Sequence, residues 1–423
     1  MRYLISIKTL AALPAILFVV FAGNSPAEAQ TETVLHNFSG TDGTAPVLSV
    51  IFDSAGNLYG VTSQGGSSNN GTVFELSPKG NGTWTDKTLI SFNGSAGGST
   101  PAGGVALDSS GSLYGTTKLG GTNGLGIAYE LVKSSSGTWS EKILHNFGAA
   151  KDGIVPTSSV VLDTAGNVYG TTQGGGAYGN GTITAGGTAF KLSKNSSGTW
   201  TETVIHSFGN GTDGAIPRSN LVLDSSGNLY GTASKGGTFA GGTVFELMPQ
   251  PAGGWKEKTL HNFNPAYNQD NFQTDGYTPH AGVTFDHSGN LFGTTSIGGY
   301  YFGGIAFELS PGSGGTWNET VLYAFDWLQY DSFPNAGVIV DSAGNVYGVT
   351  IGKPNFIDFH GTVFKLTPQS GPFWLEKQVY TFDGTHGAGG AVGSLTMDSS
   401  GNLYGGTPNG GTQKRGVVFK VTP

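Results

Sequence analysis

The amino-acid sequence predicts an all-β fold, a seven-bladed β-propeller with four strands in each blade. Three observations support this prediction. A motif of the form D-x-x-G-[NS]-[LV]-[YF]-G recurs along the chain, each repeat contains four apolar stretches of strand length, and the two chain ends complement each other. The motif begins at Asp53, Asp108, Asp163, Asp224, Asp286, Asp341 and Asp398, so successive copies are 55 to 62 residues apart.

The spacing of apolar and turn residues indicates four strands in each repeat. In the fourth repeat, apolar stretches occupy residues 221–223, 229–232, 243–247 and 256–263. Asp224 and Gly227 separate the first two stretches, since Asp accepts hydrogen bonds from the backbone that follows it and Gly adopts the positive φ of a short hairpin. Four consecutive strands of this kind form a meander, which is one propeller blade.

The chain ends predict that the ring is closed. Residues 32–38 match the fourth strand of a repeat with no earlier strands before them, and residues 416–421 match a third strand with no fourth after it. An N-terminal strand that completes the last blade closes the ring, whereas an open solenoid needs polar caps at both ends. The sequence shows no such caps, and it therefore predicts one closed domain over residues 30–423.

Residues 1–29 have the pattern of a signal peptide. Basic residues precede an apolar run, and the sequence AEA at residues 27–29 is a small-x-small cleavage site. The alternative is an uncleaved membrane anchor, but the apolar run is short for a span and contains Pro14. We expect cleavage after Ala29 and a secreted or periplasmic protein that does not insert into the membrane.

The composition limits the classes of partner. Gly accounts for 73 of the 423 residues and charged residues for 11%, which favours β-structure rich in turns. The chain has no Cys, so disulfides and a lipid-modified Cys are excluded. A net charge of −8 without a basic cluster argues against nucleic acid and anionic lipid as partners. We predict no cofactor and expect a monomer.

The repeat resembles that of a known family. The combination of D-x-x-G-N-L-Y-G-T-T-x-x-G-G, G-T-V-F-E-L, W-x-x-x-x-L-H-x-F and D-G-x-x-P, which extends from Thr31 to Pro423, is similar to the bacterial GloVer (Gloeobacter/Verrucomicrobia-type) tandem-repeat proteins. The resemblance implies an exported, propeller-like protein of unassigned activity. It supplies no catalytic residues for this chain.

Residues repeated from blade to blade are interpreted as structural. An aromatic ring at one position is expected to pack against the next blade; it is Tyr59, Tyr114, Tyr169, Tyr230, Phe292, Tyr347 or Tyr404. A metal site needs ligands around one ion, and equivalent positions of a ring lie far apart. We therefore predict structural roles, and no metal, for His36, His145, His206 and His261. The same reasoning makes turn residues, and not a calcium ring, of Asp42, Asp152, Asp213, Asp275 and Asp331.

Insertions that interrupt the repeat are better indicators of a specific site. They occupy residues 177–185, 265–273, 300–302, 327–333 and 353–360, all in turns or links that emerge on one face of a propeller. Their aromatic rings offer platforms for sugars, and their polar groups can reach hydroxyls. The predicted face for carbohydrate or peptide is centred on Tyr300, Tyr301 and Trp327. Further predicted ligand-binding residues are Tyr330, Asp331, Asp270, Asp358 and His360.

Three functions are compatible with this sequence. We favour an exported, non-enzymatic scaffold that binds carbohydrate or protein through the inserted face of blades 3–6. The first alternative is a hydrolase or lyase that uses two of Asp270, Asp326, Asp331 and Asp358 together with His360. The second is a purely structural protein of the envelope or matrix. No nucleophile elbow, phosphate loop or metal-ligand motif appears in the sequence.

Overall fold

The computed structural model describes residues 31–148, 151–266, 275–329, 331–352, 361–371, 373–383 and 393–423. These residues form 33 β-strands and one short 3-10 helix, Ser313–Gly315. The strands make seven antiparallel sheets in a ring, so the predicted seven-bladed β-propeller is confirmed. Among the described residues, no helix has the length and apolar character that a membrane crossing requires.

The first four blades follow the repeat in order. Blade 1 contains β2 (Thr44–Phe52), β3 (Leu58–Gln64), β4 (Thr72–Pro78) and β5 (Trp84–Ser91). Blade 2 contains β6 (Ser99–Pro101), β7 (Ala106–Leu107), β8 (Leu113–Leu119), β9 (Ile127–Lys133) and β10 (Trp139–Asn146). Blade 3 contains β11 (Gly153–Pro156), β12 (Val161–Leu162), β13 (Val168–Gly175), β14 (Thr188–Lys194) and β15 (Trp200–Ser207). Blade 4 contains β16 (Gly214–Pro217), β17 (Val222–Leu223), β18 (Leu229–Gly236), β19 (Thr243–Pro249) and β20 (Trp255–Asn262).

The other three blades complete the ring. Blade 5 contains β21 (Gly276–Tyr277), β22 (Thr284–Phe285), β23 (Leu291–Thr295), β24 (Ile297–Gly298), β25 (Phe302–Pro311) and β26 (Trp317–Asp326). Blade 6 contains β27 (Ile339–Val340), β28 (Val346–Val349), β29 (Thr362–Pro368) and β30 (Trp374–Thr381). Blade 7 contains β31 (Thr396–Met397), β32 (Leu403–Thr407), β33 (Val417–Thr422) and β1 (Thr31–Asn37).

The N-terminal strand closes the ring, as predicted. Strand β1 pairs antiparallel with β33, and Thr31 lies opposite Thr422. Directly after β1, the Phe38 N–H donates to the Gly416 C=O at 3.1 Å. The Phe38 ring is fully buried and packs edge-on against Phe74 of blade 1 at 5.2 Å between centroids. One short segment therefore joins the last blade to the first.

The repeated aromatic ring packs against the next blade, which confirms its structural interpretation. Tyr59 of blade 1 contacts Trp139 of blade 2, with ring centroids 6.4 Å apart in an edge-on arrangement. The same contact joins Tyr114 to Trp200, Tyr169 to Trp255, Tyr230 to Trp317 and Phe292 to Trp374. The hydrophobic core is thus divided into clusters that each combine residues of two neighbouring blades.

Each blade whose start is described begins with a strained residue before a proline. Positive φ values of 54° to 60° occur at Ala45, Thr100, Val155, Ile216, Thr278 and Phe333. Residues with a side chain rarely adopt this conformation. Here the N–H donates to a carbonyl of the preceding blade, as from Thr278 to Gly241 at 2.7 Å, and the following Pro279 packs against Gly242 of that blade. We call this arrangement the inter-blade clasp.

Candidate functional site

The repeated aspartate at the start of each motif organises a turn. The Asp53 carboxylate accepts hydrogen bonds from the Ala55 and Asn57 N–H groups, from the Asn57 side-chain amide and from the Tyr59 hydroxyl, at 2.8 to 3.1 Å. Burial alone would raise its pKa, but the hydrogen bonds from Asn57, Ala55 and Tyr59 lower it overall. The same pattern recurs in other blades, so these seven aspartates serve the fold.

The link between two blades brings the repeated histidine and the repeated link aspartate together. The histidine Nε2 lies 2.9 to 3.0 Å from an aspartate Oδ2 in the pairs His36–Asp42, His145–Asp152 and His206–Asp213. In the fifth blade Tyr323 takes the place of the histidine, and its hydroxyl donates to Asp331 at 3.3 Å. The structural interpretation of these residues agrees with this geometry.

The fourth strand of the following blade adds a second acidic group beside each of these pairs, and we call each such junction between two blades a seam. Burial raises the pKa of these carboxyl groups, to about 7 in Glu202, Glu319 and Glu376. The acidic residues are Asp86, Glu202, Glu257, Glu319 and Glu376. Sequence analysis did not predict these groupings, because the second carboxylate comes from a different repeat.

The seam between blades 1 and 2 has an acid on the fourth strand, Glu141, but lacks both the histidine and the link aspartate. Ile90 stands where the histidine recurs, and the link has Gly97-Gly98 in place of the aspartate. Glu141 lies beside Gly97, and its Oε1 is buried without a hydrogen-bond partner among the described residues. Burial raises the pKa of Glu141 to about 7.

Glu141→Gln is expected to stabilise the protein above pH 7 and to have little effect below pH 4.5. Because the pKa of Glu141 rises from 4.5 to about 7 on folding, the stability of the native chain falls as the pH rises through this interval. The amide avoids that loss, and we expect a gain of about 1 kcal/mol at alkaline pH, where solvent screens the partly exposed carboxylate. Urea unfolding of both proteins below pH 4.5 and above pH 7 measures this gain in the free energy of unfolding. A gain that did not depend on pH would contradict this explanation.

Three consecutive blades present an exposed aromatic ring at one equivalent position of the turn between their second and third strands. The rings are Tyr178, Phe239 and Tyr301, exposed by 50%, 48% and 49%. Blades 1, 2 and 7 have Ser68, Asn123 and Gln413 there. Because the strands of a blade are antiparallel, these turns all emerge on the same face of the ring. We call the three rings the aromatic arc.

At blade 5 two further aromatic residues lie beside the arc residue Tyr301. They are Tyr300 and Trp327, the other two residues at the predicted centre of the binding face. The Tyr300 and Tyr301 rings pack edge-on with centroids 4.8 Å apart, and the Trp327 N–H donates to the Tyr301 C=O at 3.2 Å. Tyr300 and Trp327 are each 45% exposed, and Phe302 is exposed beside them. The predicted centre of the face is therefore a cluster of exposed aromatic side chains.

An open groove of about 510 Å³ lies at the other end of the arc, between blades 3 and 4. Its volume is that of a site for a small ligand. Tyr178 forms one side, and the polar lining residues are His206, Ser207, Asn210, Thr212, Asp213, Glu257 and Thr259. The groove thus combines an aromatic platform with amide, hydroxyl and carboxylate groups.

Of the other predicted site residues, the structure describes Asp331. Asp331 is 3% exposed and lies in the seam with Tyr323. Tyr330, Asp270, Asp358 and His360 lie outside the described residues. Among the described residues, Asp331 thus lies apart from the exposed aromatic rings.

A comparison with family models matches the Gloeobacter/Verrucomicrobia repeat over residues 24–185, 83–271, 184–353 and 266–423. The chain belongs to the Gloeobacter/Verrucomicrobia repeat family. None of the curated proteins matches it. Membership of this family and the propeller fold both agree with a repeat scaffold, and they leave the ligand to be inferred from the surface.

Sequence analysis of this repeat protein missed one member of the arc. Phe239 lies in a turn of regular length, whereas the search for a site considered only insertions. The signal was present in the alignment of the repeats, since an aromatic residue occupies a turn position that is polar in blades 1, 2 and 7. Comparing residue types at equivalent turn positions would have found it.

Proposed function

We propose that this protein is an exported, non-enzymatic scaffold that binds carbohydrate through the aromatic arc. The observation that supports this function is the exposure of Tyr178, Phe239 and Tyr301 at equivalent positions of consecutive blades. Large exposed apolar groups on a soluble fold mark interaction sites when they lie together. The arrangement favours an extended ligand that contacts several blades.

The chemistry of the arc suits a neutral sugar polymer. Aromatic rings bury the apolar face of a pyranose, and nearby amides, hydroxyls and carboxylates exchange hydrogen bonds with its hydroxyls. The groove beside Tyr178 supplies such groups from Asn210 and Thr212. A net charge of −8 disfavours strongly anionic polymers.

The proposal of export rests on the segment before the ring. Residues 1–29 have the signal-peptide pattern described above and lie outside the described residues. A binding propeller in a secreted or periplasmic location would meet cell-surface or environmental polysaccharide. The absence of Cys is compatible with an oxidising compartment, where free thiols are a liability.

The carboxylates of the described inserted face have structural partners, which favours binding over hydrolysis. Asp326 accepts the Leu328 N–H at 2.9 Å within its own turn, and Asp331 is buried against Tyr323. A paired-carboxylate hydrolase needs two acids that face one substrate. Enzymatic activity through Asp270, Asp358 and His360, and a purely structural role, stay as alternative predictions.

Replacing the arc residues is expected to abolish most carbohydrate binding. The variant Tyr178→Ala/Phe239→Ala/Tyr301→Ala loses three stacking surfaces of about 1 kcal/mol each, so affinity should fall by roughly 100-fold. A glycan array probed with the mature chain and its variants measures this effect. Circular dichroism should show an unchanged β-fold, because the three rings are about half exposed.

Phe373→Ala is the matched control. Phe373 is 70% exposed and lies in the turn between the third and fourth strands of blade 6, at the opposite end of the blade from the arc. This variant should bind as the wild type does. If the arc variant bound glycans normally, or if Phe373→Ala weakened binding equally, the proposed site would be wrong.

A further inference from the structure

The seam between blades 4 and 5 differs from its neighbours in the spacing of its three titratable side chains. His261 comes from β20, Asp275 from the link and Glu319 from β26 of the next blade. The His261 Nε2 lies 3.4 Å from Asp275 Oδ2 and 3.7 Å from Glu319 Oε1. These atoms converge on one point, but they are farther apart than in a good hydrogen bond.

Several polar atoms at this point have no hydrogen-bond partner among the described residues. His261 Nε2 and Glu319 Oε1, two of the three converging atoms, are buried in this state, and so is the other carboxylate oxygen of Asp275, Oδ1. The Asp275 Oδ2 accepts the Asn264 N–H at 2.7 Å, which fixes the carboxylate. An unsatisfied buried polar group costs about 1–3 kcal/mol, so the imidazole nitrogen and the carboxylate oxygen left without partners 3.7 Å apart indicate that something else satisfies them.

In the seam between blades 3 and 4, the histidine and the link aspartate are closer together than His261 and Asp275 are. There the His206 Nε2 lies 2.9 Å from Asp213 Oδ2, at an ordinary hydrogen-bond distance. The second acid of this seam is Glu257. The pairs His36–Asp42 and His145–Asp152 are equally close, at 2.9 and 3.0 Å. The wider spacing is therefore specific to the seam of blades 4 and 5.

The spacing at this seam fits a tetrahedral metal ion. Zinc binds imidazole nitrogen and carboxylate oxygen at about 2.0–2.2 Å, which places neighbouring ligand atoms of a tetrahedron about 3.4 Å apart. One neutral imidazole and two carboxylates also supply a charge of −2, which a divalent cation neutralises. We propose that His261, Asp275 and Glu319 bind a divalent transition-metal ion of the zinc class, with the fourth position open to water.

The proposed ion would fasten two blades together. Its ligands come from the last strand of blade 4, the link, and the last strand of blade 5, so binding holds all three in one geometry. The link at this seam is the one lengthened by the insertion of residues 265–273. A ligand that binds only the folded state stabilises it, and the metal therefore raises the unfolding temperature.

Zinc content and zinc-dependent melting of the full chain test this site. The protein is loaded with zinc chloride, dialysed against metal-free buffer and analysed by elemental mass spectrometry, with Glu319→Gln and Glu257→Gln as the matched pair. Glu319→Gln is expected to retain one equivalent of zinc fewer than the wild type, and Glu257→Gln as much as the wild type. Zinc should raise the melting temperature of the wild type and of Glu257→Gln more than that of Glu319→Gln.

A second variant guards against a folding defect. His261→Gln should lose the same single equivalent, and melting in EDTA shows whether each variant is folded. The proposal is overturned if folded Glu319→Gln or His261→Gln retains as much zinc as the wild type. It is equally overturned if zinc leaves the melting temperature of the wild type unchanged.

Discussion

Deleting residues 31–38 is expected to unfold the ring under conditions in which the intact chain is folded. The deletion removes β1 and its pairing with β33, together with Phe38, which is fully buried against blade 1. Losing a buried Phe alone costs about 3–5 kcal/mol, a large part of the 5–15 kcal/mol that stabilises a typical domain. Thermal unfolding followed by circular dichroism measures the effect.

A circular permutant is the control, because it keeps strand β1 but attaches it to the C-terminus. Thr31 lies opposite Thr422, so a short Asn-Gly loop after Pro423 can connect to Thr31 as a hairpin. The permutant that carries residues 31–39 at its C-terminus should melt close to the wild type. An unchanged melting temperature in the deletion variant would show that β1 does not close the ring.

Gly242→Ala is expected to destabilise the protein by about 3 kcal/mol, from strain of about 1 kcal/mol at positive φ and about 2 kcal/mol from overpacking. The residue has φ +101°, and an added Cβ would lie 2.6 Å from the Ala233 carbonyl oxygen and 2.7 Å from Pro279 Cδ. Pro279 belongs to the inter-blade clasp at the start of blade 5, so the added methyl group would push blade 5 away from blade 4. Urea unfolding at neutral pH measures the change.

Gly80→Ala is the control for this substitution. Gly80 has no atom within 4 Å of an added Cβ and has no positive φ. Its replacement should change the free energy of unfolding by less than about 0.5 kcal/mol. Comparable losses in both variants would mean that the clasp contributes nothing particular to stability.

The ring could be predicted from the sequence because the residues that form each turn and strand recur in every repeat. The turn at Asp53 and the strand that follows need the same types of residue in every blade, so the seven copies can be aligned. Ring closure followed from the partial repeats at the two ends, and the β1–β33 pairing confirms it. Contacts inside one repeat have a fixed sequence spacing, which is why they are visible in a sequence.

Contacts between repeats were harder to predict. The second carboxylate at each seam, such as Glu319, lies about one repeat away from the histidine, and only the packing of neighbouring blades in the ring brings it close. The positive φ of Thr278 was equally hidden, since a β-branched residue normally avoids that conformation and a hydrogen bond to Gly241 holds it there. For this reason the sequence indicated no metal ligand set, whereas the geometry of the seam suggests one.

Hydroxyl-radical footprinting of the chain, free and bound to the glycan selected on the array, tests most directly whether the aromatic arc is the binding face. The exposed rings of Tyr178, Phe239, Tyr301 and Phe373 should all be oxidised in the free protein. Bound glycan should protect the first three and leave Phe373 reactive. Protection of Phe373 without protection of the arc would contradict the proposed function.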